Sequence, residues 1–137
     1  LLNTAMRYLL DTHALIWALD SPERLPARVN EVLRDPANLP LGVAAITPWE
    51  IAMLSTRGRL RLGTPVETWL NSALRPEIVS LVPLSPAIAV ESCQLPGPFH
   101  ADPADRLIVA TARLHGLTLI SADESIRAYP HLRTLWD

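Results

Sequence analysis

The sequence predicts an α/β fold, a parallel β-sheet flanked by helices on both faces in three layers. Three observations carry that expectation. Short apolar runs of strand length alternate with helical stretches along the whole chain. The runs are uninterrupted rather than alternating apolar with polar, the pattern of strands buried on both faces. Helix-start grammar also recurs between them, as Thr47-Pro48, Thr64-Pro65, Ser85-Pro86 and Asp102-Pro103.

Residues 1–6 read as an N-terminal extension without pattern, with Met6 as the natural start, and residues 7–137 as a single domain. Arg7 to Leu10 is a strand ending at Asp11, and Thr12 to Leu19 a helix carrying Leu15, Ile16, Trp17 and Leu19. Ser21-Pro22 breaks it. A second helix runs from about Pro26 to Arg34 and stops before Asp35-Pro36. Leu41 to Ile46 is the next strand. Thr47-Pro48-Trp49-Glu50 then reads as a capping box with proline at the first helical position, and Thr64-Pro65-Val66-Glu67 repeats the grammar. Ile78 to Val82 is a third strand, followed by a helix from Ser85-Pro86 to about Leu95. Asp102 caps a helix from Pro103 to His115, which Gly116 ends. Leu117 to Ile120 is a fourth strand, Ser121 to Arg127 a turn and short helix, and Leu132 to Trp136 a last strand.

The bulk chemistry narrows the function. The chain has 137 residues, is 49% hydrophobic and carries a net charge of −2; its mean hydropathy is +0.19. No apolar run is long enough to span a bilayer, so the apolar surplus implies a core plus a surface for a partner. The lone Cys93 excludes an intrachain disulfide and fits the reducing cytoplasm. All 12 basic residues are arginine. Lysine-dependent Schiff-base, P-loop and receiver-domain chemistry is therefore excluded. Arg57, Arg59 and Arg61 form the local basic cluster, read either as a phosphate-contacting edge or as a solvated loop.

The acidic residues fall where an open parallel sheet binds ligands, beyond the carboxyl ends of its strands. Asp11 follows the first strand, Glu50 the second and Asp123 the fourth; Asp105 lies in the first turn of the helix begun by Pro103. Each has a capping explanation, since carboxylates favour helix N-termini. Glu67 shares the grammar of Glu50 but follows no strand, and reads as a cap only. Taken together, Asp11, Glu50, Asp105 and Asp123 would crowd four negative charges on one rim, which calls for a cation. Oxygen-only donors suit Mg²⁺ or Mn²⁺, and such a site hydrolyses phosphodiesters.

Other chemistries lack their residues. His13, His100, His115 and His131 have no zinc-site spacing, and neither a Gly-rich phosphate loop nor a G-x-S-x-G elbow occurs. His13 and His100 lie near the acidic rim, so each is either an ordinary polar loop residue or a support to the site. Trp17, Trp49, Trp69 and Trp136 read as core or interface residues rather than base-stacking platforms.

Four motifs then carry a family resemblance. Leu9-Leu10-Asp11-Thr12-His13, Pro48-Trp49-Glu50-Ile51, His100-x-Asp102-Pro103-x-Asp105-Arg106-Leu107 and Leu119-Ile120-Ser121-Ala122-Asp123 resemble the PIN-domain ribonucleases and, within them, the VapC toxins of type II toxin–antitoxin modules. The resemblance implies a PIN-like fold and a Mg²⁺- or Mn²⁺-dependent endoribonuclease. It also implies an RNA substrate, a cognate VapB-type antitoxin, a homodimer and no membrane. Asp11, Glu50, Asp105 and Asp123 match the family's catalytic quartet, with Asp11, Asp105 and Asp123 as metal ligands. Ser121 matches an orienting hydroxyl, Thr12 supports the set, and Asp102 is an outer ligand or only the N-cap. Ala104 stands where the family commonly has a bulky aromatic. A partner groove would be built from the helices Thr12 to Leu19 and Pro26 to Arg34, with Ile16 and Trp17. The alternative is a catalytically silent module that keeps the fold and binds a partner or RNA without cleavage.

Overall fold

The computed structural model describes residues 5–137; most of the expected extension lies outside the described residues. Met6, assigned to that extension, is a buried core residue. The described elements are β1 (Tyr8–Leu10), α1 (Thr12–Asp20), α2 (Ala27–Arg34), β2 (Leu41–Ala44), α3 (Ile46–Thr56), α4 (Val66–Ala73), β3 (Val79–Val82), α5 (Pro86–Cys93), α6 (Pro103–His115), β4 (Thr118–Ile120), α7 (Glu124–Arg127) and β5 (Thr134–Leu135). The strands form one sheet in the order β3-β2-β1-β4-β5, and every pairing is parallel.

Successive strand residues face opposite layers, as the pleat requires. Leu9, Ala44, Val82 and Leu119 join one core with Ile88 of α5 and with Ile108, Val109 and Ala112 of α6. Leu10, Val43, Val79 and Ile120 join the other, with Leu15 and Ile16 of α1, Val29 of α2, Ile51 of α3 and Trp69 of α4. Two apolar layers on one sheet explain why the strands are unbroken apolar runs. At Gly42 the layers leave no space: a Cβ there would lie 2.6 Å from Met6 Sδ and 3.1 Å from Leu9 Cδ1.

The strand order places the site. From β1 the chain steps outward through β2 to β3, then crosses back so that β4 pairs with the other side of β1. Connections therefore diverge at the β1–β4 boundary, leaving the crevice in which open sheets bind ligands. Leu10 pairs with Ile120 across that boundary, so Asp11 and Ser121 emerge side by side. The Asp11 N–H donates to Ile120 O at 3.1 Å.

Two sequence expectations need correction. The second strand stops at Ala44, and α3 begins at Ile46 with Ala45 as its N-cap and no side-chain cap bond. Thr47-Pro48-Trp49-Glu50 is thus no capping box. Pro48 falls at the third helical position, where its absent N–H leaves no bond unmade. Likewise α4 starts at Val66 behind Pro65, without a cap bond from Thr64. Trp49 is 56% exposed and is not a core residue. Trp69 is buried, with its indole N–H donating to Asp20 at 3.1 Å.

Candidate acidic site

Asp11, Glu50, Asp105 and Asp123 line one pocket of about 460 Å³, together with Thr12, His13, Trp17, Asp102, Ile108, Ala122 and Ile126. Three acids that line this pocket, Asp11, Asp102 and Asp123, are helix N-caps. Asp11 Oδ1 accepts the Ala14 N–H at 2.8 Å. Asp102 Oδ1 accepts the Asp105 N–H at 3.0 Å. Asp123 Oδ1 takes the N–H groups of Ser125 and Ile126 and the Ser125 hydroxyl. In each case one oxygen fixes the carboxylate to its helix start, and the Asp11 carboxyl is engaged by the Ser121 side chain as well.

Glu50 is held differently. It sits beyond the first turn of α3 and caps nothing. The Thr12 hydroxyl donates to Glu50 Oε1, and Thr12 Oγ1 lies 3.1 Å from Thr47 Oγ1. Thr47 is fully buried. The hydroxyl pair therefore ties the start of α1 to α3 and fixes Glu50. Sequence reasoning read Thr47 as a cap and missed this role. The signal was a threonine inside an apolar helix start, where a buried hydroxyl must find a partner.

Electrostatics set the four acids apart. Burial pushes the Asp11 carboxyl up, against the lowering pull of Ser121, of the Ala14 N–H and of His13. Burial also raises Glu50, with the Thr12 bond opposing. Asp105 is raised to about 7, first by burial and then by Asp102, Asp123, Glu50 and Asp11. For Asp123 burial acts upward, but the Ser125 and Ile126 hydrogen bonds outweigh it and the net shift is downward. The repulsion expected from four crowded acids is thus concentrated on Asp105. The His100 imidazole approaches it, with Nε2 3.3 Å from Oδ2.

Ser121 is fully buried, and its hydroxyl accepts the Asp123 N–H at 3.0 Å. Ala104 is buried in the first turn of α6. His13 is exposed, lines the pocket, and lies 5.9 Å from the Trp17 ring. Ile16 is only 4% exposed and belongs to the core, so it cannot line a partner groove. Trp17 remains half-buried between Trp136 and the Arg24 guanidinium. Arg57, Arg59 and Arg61 are exposed on the segment after α3 and lie outside the pocket lining, while Leu60 and Leu62, on either side of Arg61, pack on the core.

The donor chemistry fits a hard divalent cation, because the acids are oxygen donors whose crowding such a charge relieves. Among the described residues, no three His, Cys, Asp or Glu side chains are already drawn together to hold an ion. An ion such as Mg²⁺, which keeps several waters and takes one or two direct carboxylates, does not require a closed cage.

Residues 8–132 match the family model described as the PIN domain. The chain belongs to the PIN-domain family. It is also 38% identical over 130 residues to Ribonuclease VapC22 of Mycobacterium tuberculosis, across 93% of this chain and 97% of that protein. Among solved structures, VapBC2 of Rickettsia felis bound to a promoter DNA fragment superposes with a TM-score of 0.71 at 17% identity. That match covers 96% of this chain and all of the other. A toxin–antitoxin complex from Klebsiella pneumoniae gives 0.64 at 23% identity, over 93% and 95% of the two chains. At these identities the structures establish the shared fold of this PIN domain, in agreement with the three-layer expectation.

Proposed function

We propose that this PIN domain is a divalent-metal-dependent endoribonuclease, the toxin of a VapBC-type module, which hydrolyses RNA phosphodiester bonds at the acidic pocket. The observation that carries the reading is the convergence of Asp11, Glu50, Asp105 and Asp123 from separate segments onto one crevice. Its context is a chain 38% identical to a ribonuclease along nearly its whole length.

Asp11, Asp105 and Asp123 would hold Mg²⁺ or Mn²⁺, with Glu50 completing the catalytic set and Asp102 at its margin. The bound ion supplies charge to a phosphodiester oxygen and acidifies water. Asp11 is the most deeply placed of the four and anchors the site from the end of β1. The Ser125 hydroxyl and the first N–H groups of α7 hold Asp123 ionised. Thr12 aims Glu50. Ile108 and Ile126 wall the pocket and limit water around it. The protein acts in the cytoplasm, as a homodimer, and a VapB-type antitoxin neutralises it. No helix among the described residues is long and apolar enough to cross a membrane.

The test is cleavage of RNA by antitoxin-free protein in Mg²⁺ or Mn²⁺, against EDTA and against Asp105→Asn. Metal-dependent cleavage lost in the variant supports the reading. Wild-type protein that binds RNA in the presence of either ion yet leaves it intact would instead be the silent binding module.

A further inference from the structure

His100 lies on the loop between α5 and α6, and its surroundings are more fully built than a solvated loop requires. Arg106, the residue after Asp105, turns back onto this loop: Nε donates to Ser92 O at 2.7 Å, and Nη1 donates to Phe99 O at 3.1 Å and His100 O at 3.2 Å. The Phe99 ring packs on the His100 ring, with centroids 4.3 Å apart and planes inclined by 31°. Phe99 in turn packs on buried Tyr129 at 4.9 Å, whose hydroxyl donates to Pro96 O. The imidazole is therefore held by its backbone and by one face.

Its two nitrogens then have separate tasks. Nδ1 accepts the Asp102 N–H at 3.4 Å. A nitrogen that accepts carries no proton, so the neutral ring keeps its hydrogen on Nε2. Nε2 is the atom that faces Asp105 Oδ2 at 3.3 Å. Asp105 receives no other side-chain contact of this kind among the described residues, whereas Asp11, Glu50 and Asp123 are each fixed by a hydrogen bond to another residue. Without His100 this carboxylate would be free to turn on its own side-chain torsions.

We propose that His100 is a positioning residue for Asp105. Braced by Arg106 and Phe99, it engages Oδ2 through Nε2 and presents Oδ1 to the cation. The proposal rests on the metal-site reading above. Partners of this sort, one contact removed from the ion, typically change metal affinity by about 10–100-fold when removed.

Three substitutions separate this role from others. In Gln the amide nitrogen falls near the position of Nε2; in Asn it falls near Nδ1; Ala keeps neither. Mn²⁺ titrations by calorimetry, without RNA, are expected to show affinity weakened about tenfold or more in His100→Ala and His100→Asn. His100→Gln should stay close to wild type, and thermal unfolding should show all three folded. In metal-free protein, nitrogen-15 spectra of labelled histidine should show His100 protonated on Nε2 alone. Equal Mn²⁺ affinity in wild type and His100→Ala would overturn the proposal. Loss of cleavage alongside that equality would move His100 onto the RNA. Asn restoring affinity as well as Gln would also overturn it, since the contact to Asp102 would then be the one that matters. A wild-type protein without Mn²⁺ affinity would remove the metal-site reading itself, a result distinct from a flat series of variants.

Discussion

Replacing Asp105 with asparagine sets activity against stability at a single atom. Burial first, and then four neighbouring acids, raise this carboxyl, so its negative charge is tolerated rather than favoured in the metal-free fold. Asp105→Asn is expected to lower RNA cleavage by at least about 100-fold, more than loss of an outer partner would. The same change should raise the melting temperature in EDTA at pH 8, a trade typical of active sites. Calorimetric unfolding beside a cleavage assay checks both halves. Thr12→Val tests the hydroxyl relay. Valine fills the same space but leaves fully buried Thr47 and the Glu50 carboxylate without their partner. A buried group so deprived costs about 1–3 kcal/mol, measurable as a lower urea midpoint at unchanged slope. Cleavage should fall as well, because Glu50 loses its anchor.

At the scale of elements, α6 shows how far local signals reach. Asp102 caps it, Pro103 opens it, and Gly116 ends it with φ 64° and ψ 31°, as the chain order of those residues foretold. Gly116→Ala forces a side chain into the left-handed region and is expected to cost about 1 kcal/mol, read by chemical denaturation. The start of α3 is the counterexample. Thr47-Pro48-Trp49-Glu50 carries every sign of a cap, yet the helix begins a residue before Thr47 and buries its hydroxyl against α1. Capping grammar is local, and α3 is positioned by Ile51 entering the core beside Leu10 and Leu15. Packing of a whole helix outweighs one cap bond worth about 1 kcal/mol.

The whole molecule should report its crowded acids through pH. A raised carboxyl keeps its proton in the folded protein at pH values where the unfolded chain has lost it. Folded protein then binds more protons, and stability falls as pH rises. For Asp105 the window runs from its ordinary 3.8 to about 7. Asp11 and Glu50 act in the same sense, and lowered Asp123 acts oppositely, below 3.8. In EDTA the melting temperature is therefore expected to drop between about pH 4 and 8. Added Mn²⁺ should flatten that decline, because a bound cation favours the charged forms. A melting temperature that is level with pH in EDTA, or Mn²⁺ without effect at pH 8, would contradict the crowded-acid description.

The sequence by itself determined the parallel sheet, the order of its elements and the four rim acids. Each depends on nearest neighbours or on periodicity: apolar runs specify buried strands, and carboxylates directly after strands must lie at the sheet edge. It also determined the family, through four motifs in order. Only the tertiary structure decided how the acids differ. Asp105 bears the repulsion through burial and through Asp123, Glu50 and Asp11 brought from other segments. The Ser125 and Ile126 bonds that lower Asp123, by contrast, are local cap bonds two and three residues away. That Thr47 serves Thr12 across 35 residues, and that Arg106 reaches back 14 residues to Ser92 O as it braces the His100 loop, depends on how the helices pack. Local sequence fixes where a charge sits along the chain. For Asp105 much of that charge's environment, and so of its energy, comes from residues remote in sequence.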